Sequence, residues 1–387
     1  MKHAKILGGF ALLAMLALDS LLAPPIFSNP AHLPHASRAS LSQTRFNTAY
    51  KPEGLVAVLT NTPGQPLDLS VLSNPSISGA ALQIHWRDIE PAEGRLDWTT
   101  LDSLIWGAEQ SGKWVQLLIF PGFFTPRWAL KGVDTARFAI QYGPGKGTVL
   151  RLPMPWDSVY LGRWTAFLHL LSVRYGESAA LRVIAAGGPT SVSDETTMPS
   201  TPQDRIKWQS KGYTQSKYVA AWTTVLTAYA HDFPNQYVSL AGGAGTDSIV
   251  GIDDLGKIAR GNDLGTKQEI VDSAIALLGS RFALQNSNLD GNPDTHKSGI
   301  SYVIGYNGQV ITGFQLRTTA SADGMGADGN PPLALKRAID NGMRTNSAGQ
   351  HVNYIEIYAK DVVAKDMQPD LRAAAHRFPS TLERTAP

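Results

Sequence analysis

The stretch Gly54-Leu-Val-Ala-Val-Leu-Thr60 is a continuous apolar run that ends at a polar residue. Runs of this kind are typical of parallel β-strands that are covered on both faces, because neither face meets water. Seven further runs of the same type follow along the chain: Gly79–Trp86, Lys113–Phe120, Leu181–Ala186, Gln236–Ala241, Arg281–Asn286, Ile311–Leu316 and Val352–Tyr358. The sequence therefore contains eight candidate parallel strands.

Amphipathic segments separate these strands. In Asp97–Gln110 the apolar residues recur at the spacing of one helix face. The other helical candidates are Ser158–Tyr175, Thr214–His231, Glu269–Leu278, Pro332–Met343 and Asp370–Phe378, whereas residues 296–306 fit either a helix or an extended chain. Alternation of strands and helices implies right-handed crossovers and a parallel sheet, and eight strands favour closure. We therefore predict an α/β fold, a single (β/α)₈ TIM barrel over residues 52–387.

The composition excludes several function classes. The 387 residues include no cysteine, so disulfides, thiolate metal sites and a cysteine nucleophile are ruled out. The net charge is only +2 and no basic stripe is present, so we expect no nucleic-acid partner. The chain has no G-x-G-x-x-G after the first strand, no G-x-S-x-G and no H-E-x-x-H. We expect neither a cofactor nor a metal ion.

The first residues have the pattern of an export signal. Lys2 and Lys5 precede an apolar run from Ile6 to Leu18, which is shorter than the roughly 20 residues of a typical membrane-spanning helix. We predict that residues 1–27 are a signal peptide or an uncleaved N-terminal anchor, and that residues 28–51 are a linker. The protein is then secreted or held in the cell envelope, and an uncleaved anchor would be its only contact with a membrane.

The predicted active face is the carboxyl end of the strands, where barrel proteins carry their working residues. The loop after the third strand, Pro121–Trp156, is much longer than an ordinary connection and is rich in aromatic residues. We predict that Trp86, Trp128 and Trp156 bind substrate by stacking on the apolar faces of sugars. The alternative is that these rings pack the long loops. Asn286, at the end of the sixth strand, is a candidate hydrogen-bond donor to sugar hydroxyls.

Two glutamates stand out as candidate catalytic residues, because glycoside cleavage needs two carboxyl groups across the scissile bond. Glu195 lies in the loop after the fourth strand, and Glu356 lies inside the last strand, in Asn353-Tyr-Ile-Glu-Ile-Tyr358. A carboxylate among such apolar neighbours must face the barrel mouth or pair with a cation such as Lys360, because burying it alone is costly. We predict that Glu195 is the general acid/base and Glu356 the nucleophile or base.

A family resemblance supports this interpretation. The stretch Leu82-Gln-Ile-His-Trp-Arg-Asp-Ile-Glu-Pro-Ala-Glu-Gly-Arg-Leu-Asp-Trp98 resembles the second-strand region of clan A glycoside hydrolases, and family 42 β-galactosidases in particular, with their pattern W-x-x-x-E-P-x-x-G-x-x-D-[WF]. Thr125-Pro-Arg-Trp128 and Met154-Pro-Trp-Asp157 continue the likeness. The resemblance implies a (β/α)₈ barrel without a cofactor that hydrolyses a β-linked sugar with two glutamates.

Two departures from the family pattern leave a second hypothesis open. Clan A enzymes carry an Asn-Glu pair at the end of the fourth strand, whereas here Asp194-Glu195 comes several residues later. Their nucleophile ends the seventh strand, where this chain has Gln315, which we assign to substrate binding because an amide cannot act as a carboxylate nucleophile. We predict a glycoside hydrolase that cleaves O-glycosidic bonds of a poly- or oligosaccharide. The alternative is a TIM-barrel protein that binds glycans without cleaving them.

Overall fold

A closed barrel of eight parallel strands forms the centre of the computed structural model, which describes residues 51–141, 145–242, 249–259, 265–292 and 298–378. In chain order the barrel strands are β1 (Gly54–Thr60), β2 (Ile77–His85), β3 (Trp114–Phe120), β6 (Leu181–Ala185), β7 (Tyr237–Ala241), β8 (Phe282–Leu289), β9 (Ile311–Leu316) and β10 (Tyr354–Tyr358). Pairing of β1 with β10 closes the barrel. The predicted (β/α)₈ fold is confirmed.

Helices follow the strands as the alternation predicts. They are α1 (Trp86–Ile89), α2 (Thr99–Gln110), α3 (Ser158–Tyr175), α4 (Pro202–Ser210), α5 (Gln215–Asp232), α6 (Thr266–Leu278), α7 (Ser298–Gly305), α8 (Pro331–Gly342), α9 (Ala359–Val363) and α10 (Gln368–Ala375). The segment that was compatible with helix or extended chain is therefore helical over Ser298–Gly305. The predicted signal or anchor, and the linker up to residue 50, lie outside the described residues. Among the helices that are described, none is long and apolar enough to cross a membrane.

The long loop after β3 contains a hairpin that the sequence did not predict. Its strands β4 (Thr135–Ala139) and β5 (Val149–Pro153) pair in antiparallel fashion. Phe138 and Leu152 are fully buried on the inner face of this hairpin. Only five residues form each strand, so the alternation of apolar and polar residues is too short to separate from the surrounding loop.

The barrel interior changes character from one end to the other. Aromatic side chains fill the amino end, where Trp114, Tyr237 and Tyr354 belong to one buried cluster. Nearer the carboxyl end, the residues that alternate onto the same inner face are polar: Gln116 on β3, Gln285 on β8, Gln315 on β9 and Glu356 on β10. Barrel interiors are usually dominated by branched apolar residues. The polar end is therefore where a site is expected.

Candidate active site

Glu356 lies inside the barrel. It is the third residue of β10, it pairs in register with Val56 of β1 and Gln315 of β9, and it is completely buried. Neither carboxyl oxygen has a hydrogen-bond partner among the described residues. Lys360, the candidate structural partner, is exposed and donates to the Ser321 hydroxyl at 3.3 Å instead. The expected alternative of a structural ion pair with Lys360 is therefore wrong.

The charge environment of Glu356 favours its protonated form. Burial raises the pKa of Glu356 well above its usual value, and the neighbouring Asp194 carboxylate raises it further. The Gln285 side chain opposes this rise only weakly. Its Nε2 also has no hydrogen-bond partner within the described chain. A carboxyl group in such surroundings is a candidate proton donor at neutral pH, because removing the proton would leave a charge in an apolar environment.

Asp194 is the residue that sequence reasoning did not assign. It lies in the loop after β6, it is buried, and its Oδ2 has no described hydrogen-bond partner. Burial, and then the negative charge of Glu195, raises the pKa of Asp194 to about 7. The one available signal in the sequence was its position directly before Glu195, but two adjacent acidic residues in a loop are usually solvated.

Glu195 is half-buried at the edge of the same group. Its backbone bridges to Ala241 at the end of β7, and the amide of Thr196 donates to the Ala241 carbonyl at 3.3 Å. Burial raises the pKa of Glu195, whereas the nearby Lys267 ammonium and Ser287 hydroxyl oppose that rise. Lys267 itself is buried. Glu195 is therefore the carboxyl group of this site with a cation beside it, and that cation offsets part of the effect of burial.

Tyr358 lies within the electrostatic influence of all three carboxyl groups. Burial and the charge of Glu356 raise the pKa of Tyr358 to about 12, and Glu195 and Asp194 also contribute. Gln315 lies beside it and donates from Nε2 to the Tyr358 hydroxyl at 3.3 Å. The structure therefore brings Glu195, Glu356 and Gln315 together, and it adds Asp194 and Tyr358 to them.

A hydrogen-bonded layer below Glu356 fixes one of its neighbours. The Tyr354 hydroxyl donates to Gln285 Oε1 at 2.8 Å, and Gln116 Nε2 donates to the same oxygen at 3.1 Å. Gly313 on β9 leaves room for the Tyr354 ring, since a Cβ there would overlap it. With its oxygen held by two donors, Gln285 keeps its Nε2 free to serve as a donor. No sequence pattern singles out Gln116 or Gln285.

Two of the predicted substrate-binding residues do not line a cleft. Trp86 has no exposed surface, and its ring packs against Trp128 and Trp164, so it is a core residue. Asn286 is buried, and its Oδ1 accepts a hydrogen bond from the Asn288 amide at 3.0 Å, so its side chain already stabilises the local turn. The side chains of both residues are thus taken up by contacts within the protein.

Trp128 and Trp156 are half-buried, so each keeps an exposed part. Trp128 Nε1 donates to the Glu90 carbonyl at 3.0 Å. The ring of Trp156 packs against Trp208 and Tyr213, with centroids 6.1 and 5.7 Å away. Both rings therefore have a structural role, and the exposed part is what a sugar could contact.

Glu90 holds the loop after β2 through hydrogen bonds. Glu90 accepts hydrogen bonds from Trp86 Nε1 at 3.1 Å and from the Gly94 amide at 3.0 Å. Arg87 lies 4.0 Å from Asp88 and 5.0 Å from the centre of the Phe124 ring. Hydrogen bonds rather than an ion pair with Arg87 therefore hold Glu90 in place.

An aromatic surface not assigned from the sequence lies at the end of β2. His85 is the last residue of this strand and stacks on Phe124 at 3.8 Å, and both are half-buried. His85 alternates onto the same face of β2 as Ala81, which belongs to the interior cluster. The stacked pair therefore offers an apolar surface at the carboxyl end of the barrel.

Comparisons with known proteins give a likeness of fold. No family model matches the chain, and no curated protein matches it. Among solved structures, it is similar to the exo-β-1,4-mannosidase Op5Man5 from Opitutaceae bacterium strain TAV5, with 13% identity over 84% of this chain and 59% of that chain and a TM-score of 0.46. It is also similar to an endo-β-1,4-glucanase from Xanthomonas axonopodis pv. citri, with 12% identity over 86% and 96% of the two chains and a TM-score of 0.43.

The chain thus spans 59% of the length of the mannosidase. Identities and TM-scores this low support no assignment of function to this chain, and many unrelated activities share the barrel fold. The resemblance to family 42 stays a prediction. Any assignment of function to this chain therefore has to come from its own side chains.

Proposed function

We propose that the protein is a glycoside hydrolase that cleaves O-glycosidic bonds of a poly- or oligosaccharide with carboxyl groups at the carboxyl end of its barrel. The observation that carries this proposal is Glu356, a buried carboxyl group inside the barrel without a described hydrogen-bond donor, close to the charge of Asp194, which is itself close to that of Glu195. Carboxyl groups whose surroundings push their pKa values apart are the usual basis of acid and base roles in glycosidases.

The environments assign the roles in the opposite order from the sequence-based expectation. Glu356 has the more strongly raised pKa, so it is the proton donor to the glycosidic oxygen while the bond from that oxygen to the anomeric carbon breaks. Glu195, whose raised pKa is opposed by the neighbouring Lys267, is the partner that gives up its proton more readily. Its carboxylate either attacks the anomeric carbon directly or takes a proton from the attacking water, which are the retaining and inverting routes.

Asp194 and Gln315 complete the proposed site. The Asp194 charge keeps Glu356 protonated, because two neighbouring carboxylates resist ionising together. Gln315, hydrogen-bonded to Tyr358, offers its carbonyl oxygen to a sugar hydroxyl. Its amide at this position is also the observation that favours the second candidate, a barrel that binds a glycan without cleaving it.

The test is an activity screen with matched variants. The full chain is assayed for release of reducing ends from a panel of β-linked polysaccharides, alongside Glu356→Gln, Glu195→Gln and, as a control, the exposed Glu93→Gln. Loss of proton transfer or of the negative charge should lower turnover by at least about 100-fold in the first two variants. KM should change little, because the loss falls on the transition state.

The control variant should retain full activity. Unchanged turnover in both Glu356→Gln and Glu195→Gln would refute the assignment of these residues. Saturable binding of a glycan by the unmodified chain, without any cleavage across the panel, would instead support the non-catalytic candidate.

A further inference from the structure

The hairpin β4–β5 is held firmly against the barrel's own helices. The ring of Phe138, on its inner face, stacks on Trp208 of α4 with centroids 4.5 Å apart and planes inclined by 23°. Trp208 Nε1 in turn donates to the Pro199 carbonyl at 2.7 Å. Thr201 and Asp204 cap the start of α4 reciprocally. The outer face of the hairpin is therefore presented on a fixed support rather than on an unattached loop.

That outer face places two positive charges directly opposite each other. Arg137 of β4 is the register partner of Arg151 of β5, and both side chains are exposed. Like charges at opposed positions destabilise an antiparallel pair. Arg137 Nη2 donates to the Val149 carbonyl at 3.3 Å, and within the described chain neither arginine forms an ion pair with a carboxylate. The pair thus costs stability that no described acidic residue offsets.

The hairpin is joined to the segment that follows the catalytic candidates. The Phe123 amide, at the start of the long loop, donates to the Ser191 carbonyl at 2.9 Å. Gln141, which follows β4, donates to Asp204 at 2.9 Å. The Phe123 contact therefore joins the start of the long loop to the loop that carries Asp194 and Glu195, and the Gln141 contact joins the hairpin to the start of α4. The hairpin follows β3, so it belongs to the loops at the carboxyl end of the barrel, the end where the proposed active site lies.

We propose that Arg137 and Arg151 form a subsite for an acidic sugar unit, so that the substrate is a glycan with carboxylate or sulfate groups. This inference rests on the proposed function and specifies its substrate class. Opposed residues of an antiparallel pair lie about 4.5–5.5 Å apart at Cα, so two guanidinium groups can converge on one anion. Guanidinium forms paired hydrogen bonds with carboxylate and sulfate-like oxygens. Val149, exposed two register pairs further along the same face, gives the C–H face of a sugar an apolar contact.

The test measures binding separately from cleavage. Dissociation constants of the full chain are measured by calorimetry for three hexasaccharides: an oligouronate, a sulfated oligosaccharide and an uncharged one. We expect tighter binding of at least one acidic ligand than of the neutral one. The double variant Arg137→Gln/Arg151→Gln should weaken that binding by at least about tenfold, through loss of charge-assisted hydrogen bonds. It should also reduce the salt dependence of binding.

A matched double variant controls for net charge. Arg95→Gln/Arg372→Gln removes the same two charges from exposed positions outside the hairpin, and it should leave acidic-glycan affinity unchanged. Thermal unfolding should be unchanged or slightly higher for Arg137→Gln/Arg151→Gln, since it removes a like-charge pair. Comparing the affinities for the oligouronate and the sulfated oligosaccharide shows whether the subsite binds carboxylate or sulfate groups.

Three outcomes would overturn the subsite. They are equal affinity for neutral and acidic ligands, no effect of the hairpin variant, and an equal loss in the control variant. Cleavage of a neutral glycan with the hairpin variant fully active would reject the acidic subsite and leave the hydrolase proposal standing. Binding of an acidic ligand through the arginines without any cleavage would support the acidic subsite and reject the hydrolase proposal.

Discussion

Two buried glutamates, Glu90 in the loop after β2 and Glu356 inside the barrel, have opposite surroundings. Glu90 is 3% exposed and accepts hydrogen bonds from Trp86 Nε1 and the Gly94 amide. Glu356 is fully buried, and no described residue donates to it. Burial raises the pKa of both, but for Glu90 the two donors oppose the rise. A carboxyl group that serves the scaffold comes with donors, so one without them calls for a different explanation.

The largest expected difference between the two glutamates is in stability. Glu90→Gln places an amide NH₂ against one of two N–H donors, so the free energy of unfolding should fall by about 1–3 kcal/mol, the cost of an unsatisfied buried donor. Glu356→Gln keeps the shape and removes a buried ionisable group, so its stability should be equal or higher. Urea unfolding at pH 7 measures both. Equal losses in the two variants would mean that the comparison does not separate scaffold from site.

The sequence was sufficient to predict the fold and the position of Glu356, for a physical reason. Ile355 and Ile357 flank it in a strand, and alternation places their neighbour on the opposite, inner face. The eight apolar runs were equally clear because parallel strands are buried on both faces. Strand order then followed from chain order.

The parts that sequence reasoning missed depend on long-range packing. Trp86 begins the short helix α1 after β2, and only the arrangement of α3 around it makes it a core residue. The environment of Asp194 includes Glu356 of β10, a strand that is far away in the chain. Arg137 and Arg151 became neighbours only through the register of a hairpin whose loop is long. No local sequence pattern indicates any of these contacts.

The pH dependence of stability gives a smaller but more specific difference. The pKa of Glu356 is raised in the folded state, so between about 4.5 and that raised pKa the native protein keeps a proton that the unfolded chain releases. Wild-type stability should therefore fall as pH rises through this window. Glu356→Gln removes this contribution, so its advantage over wild type should grow above about pH 4.5.

Asp194→Asn should show the same sign over a window that ends near its pKa of about 7. Glu90→Gln should show a weaker dependence, because hydrogen bonds oppose the shift of Glu90. Urea titrations at several pH values between 4 and 8 measure these differences. Parallel curves for wild type and Glu356→Gln would show that Glu356 titrates normally, and the assignment as proton donor would then fail.

The smallest expected effect concerns Trp128, which belongs to the Glu90 region but keeps an exposed part. Trp128→Phe retains an aromatic ring and loses the hydrogen bond from Nε1 to the Glu90 carbonyl, so stability should fall by about 1 kcal/mol while glycan affinity is retained. Trp128→Ala also removes the ring, and affinity should weaken by about 1 kcal/mol, or roughly fivefold, if a sugar stacks there. Trp156→Phe is the matched control, since no described acceptor binds its Nε1, and it should cost less stability than Trp128→Phe. Unfolding curves and glycan calorimetry on the three variants separate the two roles. Unchanged affinity in Trp128→Ala would assign the ring entirely to the scaffold around Glu90 and leave His85 and Phe124 as the aromatic surface of the site.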